Sequence, residues 1–193
     1  MRFIVFLTVS LLLTTAVHGG DAQGRYAIKG VGAQSCADYN KARRNKLPEV
    51  YMFMGWFQGW MSNENRHREN TFDLASWQHT GTLLAALDAY CEKNEKYPFV
   101  GAAEALIASM RTSALDEQAL LVTAEAGGRS VQVYDAVLAR LQAALAESGD
   151  YLGAATGRFD EATGKAILAY QKREGLPETG LPDQVILQRL VHR

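Results

Sequence analysis

Two cysteines, a few histidines and a scatter of carboxylates are the residues in this chain with chemistry to offer. Cys36 and Cys91 could form a disulfide, contribute metal thiolates, or serve singly as a nucleophile beside His67 or His79. Metal binding needs more ligands at closer spacing, and no His-x-x-x-His or Cys-x-x-Cys occurs. "NENRH" at 63–67 has Asn63 where a zinc-binding His-Glu-x-x-His helix needs its first histidine. Glycoside hydrolysis needs two carboxylates at a set separation. Glu49, Glu64, Asp73 and Glu104 are available, but no local motif raises one pair above the others. A serine nucleophile would announce itself as Gly-x-Ser-x-Gly or Ser-x-x-Lys, and neither is present. The residues therefore point to a non-enzyme with no catalytic set, no metal and no cofactor.

The totals narrow the setting. A chain of 193 residues, 48% hydrophobic and 21% charged, makes one ordinary globular domain or two small ones. A net charge of −1, with both signs mixed along the C-terminal third, argues against nucleic-acid binding, which gathers Lys and Arg on one face. The opening "MRFIVFLTVSLLLTTAVHGGDAQG" has Arg2, an apolar run from Phe3 to Leu13, and then small residues. That is the layout of a secretory signal peptide over residues 1–22, cleaved between Gly19 and Ala22. Its apolar core is too short for a permanent span, so no membrane attachment is expected after cleavage. The mature protein would be periplasmic, or secreted, and its cysteines oxidised. A Cys36–Cys91 disulfide closes a separation of 55 residues, worth about 4 kcal/mol in the loop-entropy model.

The elements that must position these residues read as all-α. Residues 49–63, "EVYMFMGWFQGWMSN", place Tyr51, Phe53, Met54, Phe57, Trp60 and Met61 in a wide helical stripe. A strand is the rival, since aromatics favour sheets; length favours the helix. Gly55 and Gly59 would let another element approach. "ASWQHTGTLLAALDAYCEKN" predicts a helix capped by Ser76 or Thr80, and another starts at Pro98, a residue suited to a first turn. Gly127-Gly128 reads as a linker or helix end. The expected division is a helical domain over 23–112, a linker over 113–129 and a three-helix domain over 130–193.

In that last unit, "TGRFD" at 156–160 and "TGLPD" at 179–183 repeat Thr-Gly-x-x-Asp at an offset of 23. Each glycine supplies a backbone conformation other residues avoid, and Asp160 and Asp183 fall where they cap the helices that follow. The preceding segment, "SVQVYDAVLARLQAALAESGD", predicts a helix from Ser130 to Gly149. Gly175 stops the second helix. The repeat is a reused turn-and-cap device, which marks architecture rather than chemistry.

Leu141-Gln142 with Leu145, "GDYLG" at 149–153, "TGRFDEATGKAILAYQ" at 156–171 and "EGLPETG" at 174–180 together resemble the peptidoglycan-binding domain of bacterial wall enzymes and envelope proteins. The chain departs from that pattern at Thr156 and Thr179, at Tyr170 for Phe, and at Ile186 for Thr. The resemblance implies a three-helix fold and peptidoglycan as a partner. A wall-contacting surface needs an aromatic ring for a sugar face and cations or amides for peptide carboxylates. Gln142, Tyr151, Arg158, Gln171 and Lys172 are the candidates. More loosely, "SCADY" at 35–39, "YMFMGWFQGWMSNEN" at 51–65 and "LDAYCEKNEKYPFVGAAEAL" at 87–106 resemble HdeA-type periplasmic acid-stress chaperones and small immunity proteins. That implies a disulfide-stapled helical module that binds a protein partner. The expected function is non-enzymatic wall binding with a protein partner for the N-terminal domain. The alternatives are a wall hydrolase with an unrecognised catalytic domain, or an immunity or chaperone factor without wall affinity.

Overall fold

A computed structural model describes residues 20–192; the expected signal segment lies almost wholly outside them. The first helix, α1 (Cys36–Arg44), begins at a capping box in which Ser35 accepts from the Asp38 amide and Asp38 accepts from the Ser35 amide. The aromatic stripe forms α2 (Glu49–His67), followed by α3 (Thr80–Lys93) and α4 (Phe99–Met110). The Cys36–Cys91 disulfide is present and joins the start of α1 to the end of α3. Asn40, buried beside it, donates to the Cys91 carbonyl at 3.0 Å. Tyr39, Phe53 and Phe99 meet one another at ring distances of 4.9–5.4 Å, so one helix each from α1, α2 and α4 converges on a single aromatic cluster. Gly55 and Gly59 lie on the outer side of α2, where nothing approaches them among the described residues.

The buried Tyr39 hydroxyl donates to Asp88 at 2.7 Å, and Arg43 grips the same carboxylate through two nitrogens at 2.8 and 2.6 Å. Burial pushes the Asp88 carboxyl up, but the hydrogen bonds from Arg43 and Tyr39 outweigh it and hold the group below its ordinary value. The arrangement ties α1 to α3 a second time, next to the disulfide.

Helices dominate the fold, as expected, but two strands interrupt them. Leu121–Ala126 (β1) and Arg129–Tyr134 (β2) pair antiparallel with Ala126 opposite Arg129. Gly127 and Gly128, at φ 56° and 72°, make the two-residue turn. A primed turn needs positive φ at both positions, which Gly-Gly supplies without strain. Thus Gly127-Gly128 is a hairpin turn rather than a helix end. Ser130 belongs to a strand, and helix α5 starts only at Asp135 (Asp135–Glu147). The reason is visible in the alternation of "RSVQVY", where Val133 faces inward and Gln132 faces out. Asp135 then serves the helix start itself, accepting from the Ala136 amide and reaching back to the Leu120 amide. Two further helices, α6 (Glu161–Arg173) and α7 (Gln184–Leu190), complete the chain. Asp160 and Asp183 cap them as expected.

Packing forms two cores. The first joins α1–α4; the second gathers Val137, Leu138, Leu141, Leu145, Ile167, Ile186 and Leu190 from α5–α7. The second core also takes Trp77, Leu115 and part of Phe72 from earlier in the chain. Residues 72–73 pair with Leu115 through backbone hydrogen bonds, and Arg140 of α5 donates to the carbonyls of Ser113 and Ala114. The segment between α2 and α3 is therefore a plug shared by both cores.

Two outcomes follow. Replacing both cysteines with Ala should lower stability by about 4 kcal/mol, read from urea unfolding at neutral pH; an unchanged midpoint would remove the staple from the account. Asp88→Asn should destabilise the protein at neutral pH. Because the native carboxyl is held below its ordinary value, its contribution exists above the ordinary carboxylate range and is lost as pH falls through the lowered value. The gap between variant and parent should close on acidification below about pH 4; a constant gap would assign the effect to shape rather than charge.

Candidate functional site

Most of the chemistry-bearing residues of the N-terminal half are engaged in structural contacts. The disulfide leaves no thiol among the described cysteines. Glu64 pairs with Arg68, and Glu104 accepts from Tyr26, whose hydroxyl is pushed up to about 12 first by that hydrogen bond and then by burial. Asp73 Oδ1 accepts from the Ala75 amide at 3.0 Å. His79 caps α3, its Nδ1 accepting from the Thr82 amide at 3.1 Å; Ser76 and Thr80 do not. Ser76 instead donates to the Ser113 carbonyl at 3.1 Å, inside the plug. Among the described residues no three His, Cys, Asp or Glu side chains gather in a group that could hold a metal ion.

The C-terminal half is organised by the two Thr-Gly turns. Gly157 and Gly180 take φ 71° and 65°. At Gly157 a Cβ would also fall 2.6 Å from the Asp135 carbonyl oxygen, so the turn lies directly against the start of α5. Such a turn buries backbone N–H groups that need acceptors. Gln142, fully buried, accepts from the Gly157 amide at 2.9 Å and donates to the Arg158 carbonyl and the Thr163 hydroxyl, both at 2.9 Å. That hydroxyl donates on to Asp160, the helix cap. Gln171, 1% exposed, repeats the arrangement. It accepts from the Thr179 and Gly180 amides at 2.9 Å and donates to the Thr179 hydroxyl, which passes its proton toward Asp183.

These positions correct the expected contact surface. Gln142 and Gln171 were candidates because amides suit peptide recognition, but both spend their hydrogen-bonding capacity inside the domain. Tyr151 is 6% exposed, with its ring in the second core and its hydroxyl donating to the Ala154 carbonyl at 3.2 Å. Only Arg158 and Lys172 of the five are exposed. They flank opposite ends of α6, which at 1.5 Å per residue sets them about 20 Å apart. No single small ligand could touch both. Arg173 is not a substitute, since it pairs with Asp150 and Glu174 and lies 4.9 Å from the Tyr170 ring centre.

Next to Arg158 the surface is concave. A cleft of about 550 Å³ runs between β1 and α6, with Phe159, Gly164 and Leu168 along it and Glu125, Glu161 and Lys165 at its edge. Sequence reasoning missed it because one wall is the unexpected hairpin.

Residues 135–190 match the family model described as "Putative peptidoglycan binding domain". The matched stretch begins with α5 and ends with α7, leaving the hairpin and the first core outside it. No curated protein and no solved structure matches the chain. If the buried glutamines are clasps, Gln142→Ala and Gln171→Ala should each cost about 1–3 kcal/mol by orphaning turn amides. Tyr151→Ala should cost about 3 kcal/mol through its cavity, and Tyr151→Phe much less. Urea midpoints within 0.5 kcal/mol of the parent for all three Ala variants, about the level of ordinary surface changes, would overturn this assignment.

Proposed function

We propose that the protein is an exported, wall-associated binding protein: α5–α7 hold it to peptidoglycan, and the disulfide-bonded helices α1–α4 engage a protein partner, without a catalytic step of their own. The observation that carries the reading is the coincidence of the peptidoglycan-binding family match with the three-helix unit built on the paired turns. The disulfide suits an oxidising compartment, and no described helix is long and apolar enough to cross a membrane. The periplasm is the location in which both features are useful. Arg158 and Lys172 offer two separated cations for the carboxylates of wall peptides. Their spacing suits an extended polymer, where many weak contacts in high local concentration replace one deep site.

A second reading, a wall hydrolase, draws on one observation: Glu64 and Glu104 line the same cleft as Trp60 and Tyr26. Purified sacculi separate the two. The binding reading expects the full chain to pellet with sacculi while their turbidity stays constant; release of soluble fragments would favour the hydrolase, and failure to pellet would remove wall binding altogether. Arg158→Ala with Lys172→Ala should weaken pelleting by roughly fivefold per charge, about 1 kcal/mol each, with thermal stability unchanged. Unaltered pelleting would take these two residues out of the contact.

A further inference from the structure

The plug between the two cores is also one wall of a groove. It has a volume of about 490 Å³, within the range of roughly 300–1,000 Å³ that small-molecule sites occupy. Its sides come from the start of α3, the end of α4 and the end of α7, so neither core forms it alone. In a chain with 21% charged residues, no Asp, Glu, Lys or Arg among the described residues lines it. What lines it is apolar surface from Leu83 and Met110 and the hydrogen-bonding side chains of Gln188, Ser109, His79 and His192.

Two of the lining groups have donors with a defined state. His79 uses Nδ1 to accept from the Thr82 amide, which leaves the proton of the neutral ring on Nε2. Gly81 makes room for this ring, since a Cβ there would stand 3.0 Å from it. Trp77 is nine-tenths buried, and its buried indole N–H has no partner among the described residues, although buried donors are nearly always paired. Its ring centre lies 5.6 Å from that of His192. A groove with aromatic and apolar surface, the His79 and Gln188 side chains as hydrogen-bonding groups, and no Asp, Glu, Lys or Arg among the described residues is matched to a ligand that is itself uncharged and rich in hydroxyl and carbonyl acceptors. Peptide stems, which carry carboxylates and amines, would bury those charges here without counter-charges.

We propose that this junction groove binds the uncharged glycan strand of peptidoglycan, a run of N-acetylated hexosamines, through Trp77, His79 and Gln188. This rests on the wall-binding reading and adds to it: the sugar subsite lies outside the family-matched helices alone and requires the segment between α2 and α3. Arg158 and Lys172, elsewhere on the surface, remain available for peptide carboxylates.

The probe is chitotetraose, a β-1,4 tetramer of N-acetylglucosamine, titrated into the ¹⁵N-labelled full chain and followed by NMR. The expected result is a saturable shift of the Trp77 indole N–H, with Trp56 and Trp60 unmoved. Ser109→Trp, an exposed position at the groove, should weaken binding at least tenfold; Gln188→Arg serves as the second variant should the first fail to fold. No shift of Trp77 at millimolar sugar, or binding unaltered in a folded groove variant, overturns the proposal. So does an acidic stem peptide that produces the same Trp77 shift. Sacculus pelleting run in parallel keeps the two readings apart. Pelleting without a chitotetraose response sinks the groove and leaves wall binding standing; a response without pelleting keeps the groove and sinks wall binding.

Discussion

The amide of a glutamine satisfying a buried turn is the interaction on which the C-terminal unit depends. Each Thr-Gly turn reverses the chain against a packed helix, and the turn's N–H groups are withdrawn from water in the process. Gln142 and Gln171 supply the acceptors, and their remaining donors are passed to a threonine hydroxyl and from there to the capping aspartate. Turn, hydroxyl and cap thus form one connected network in each case. A network of this kind is worth having only when every member is paired, and both are complete. The direction in which α6 and α7 leave their turns is set by these bonds, and with it the placement of Arg158 and of the cleft beside β1.

The same principle, with a different amide, joins the two cores. Gln184, the first residue of α7, accepts from the His79 amide at 3.0 Å and from the Thr82 hydroxyl at 2.7 Å, and donates to the Trp77 carbonyl. One side chain therefore orients the plug, the cap of α3 and the start of α7 together. Trp77 contributes the apolar half of the joint by entering the second core. The Asp88–Arg43–Tyr39 cluster and the disulfide, by contrast, act wholly within the first core.

Much of this was legible in the sequence, and the exceptions have physical causes. The helices from α2 onward were read because their apolar faces repeat at helical spacing, and Asp160 and Asp183 because a cap is a local signal; the short α1 was not read. The hairpin was missed although Gly127-Gly128 between alternating residues announces it; the apolar positions of "SVQVYDAVL" also fit a helical period, and period alone does not choose. His79 as a cap escaped because imidazole is uncommon in that role beside Ser and Thr. The glutamines were misplaced for a deeper reason. Gln142 precedes its glycine by 15 residues and Gln171 by nine, because the loop before the first turn is longer. The repeat visible at an offset of 23 therefore does not superimpose them, and only the folded chain shows that they do the same work.

That interleaving bears on where the C-terminal unit begins. Residues 135–190 contain three helices and both clasped turns, yet their core is completed by Trp77, Leu115 and part of Val122, all earlier in the chain. Among the described residues β2 pairs with β1 alone. A cut at residue 130 would remove a nine-tenths buried indole and half of the hairpin at once. Removing large buried side chains costs several kcal/mol through the cavity left behind, comparable with the whole stability of a small domain. The three helices of this chain are thus not a module that merely follows the first one. Their core is finished by the segment between α2 and α3, and a surface shared by both halves follows from that dependence.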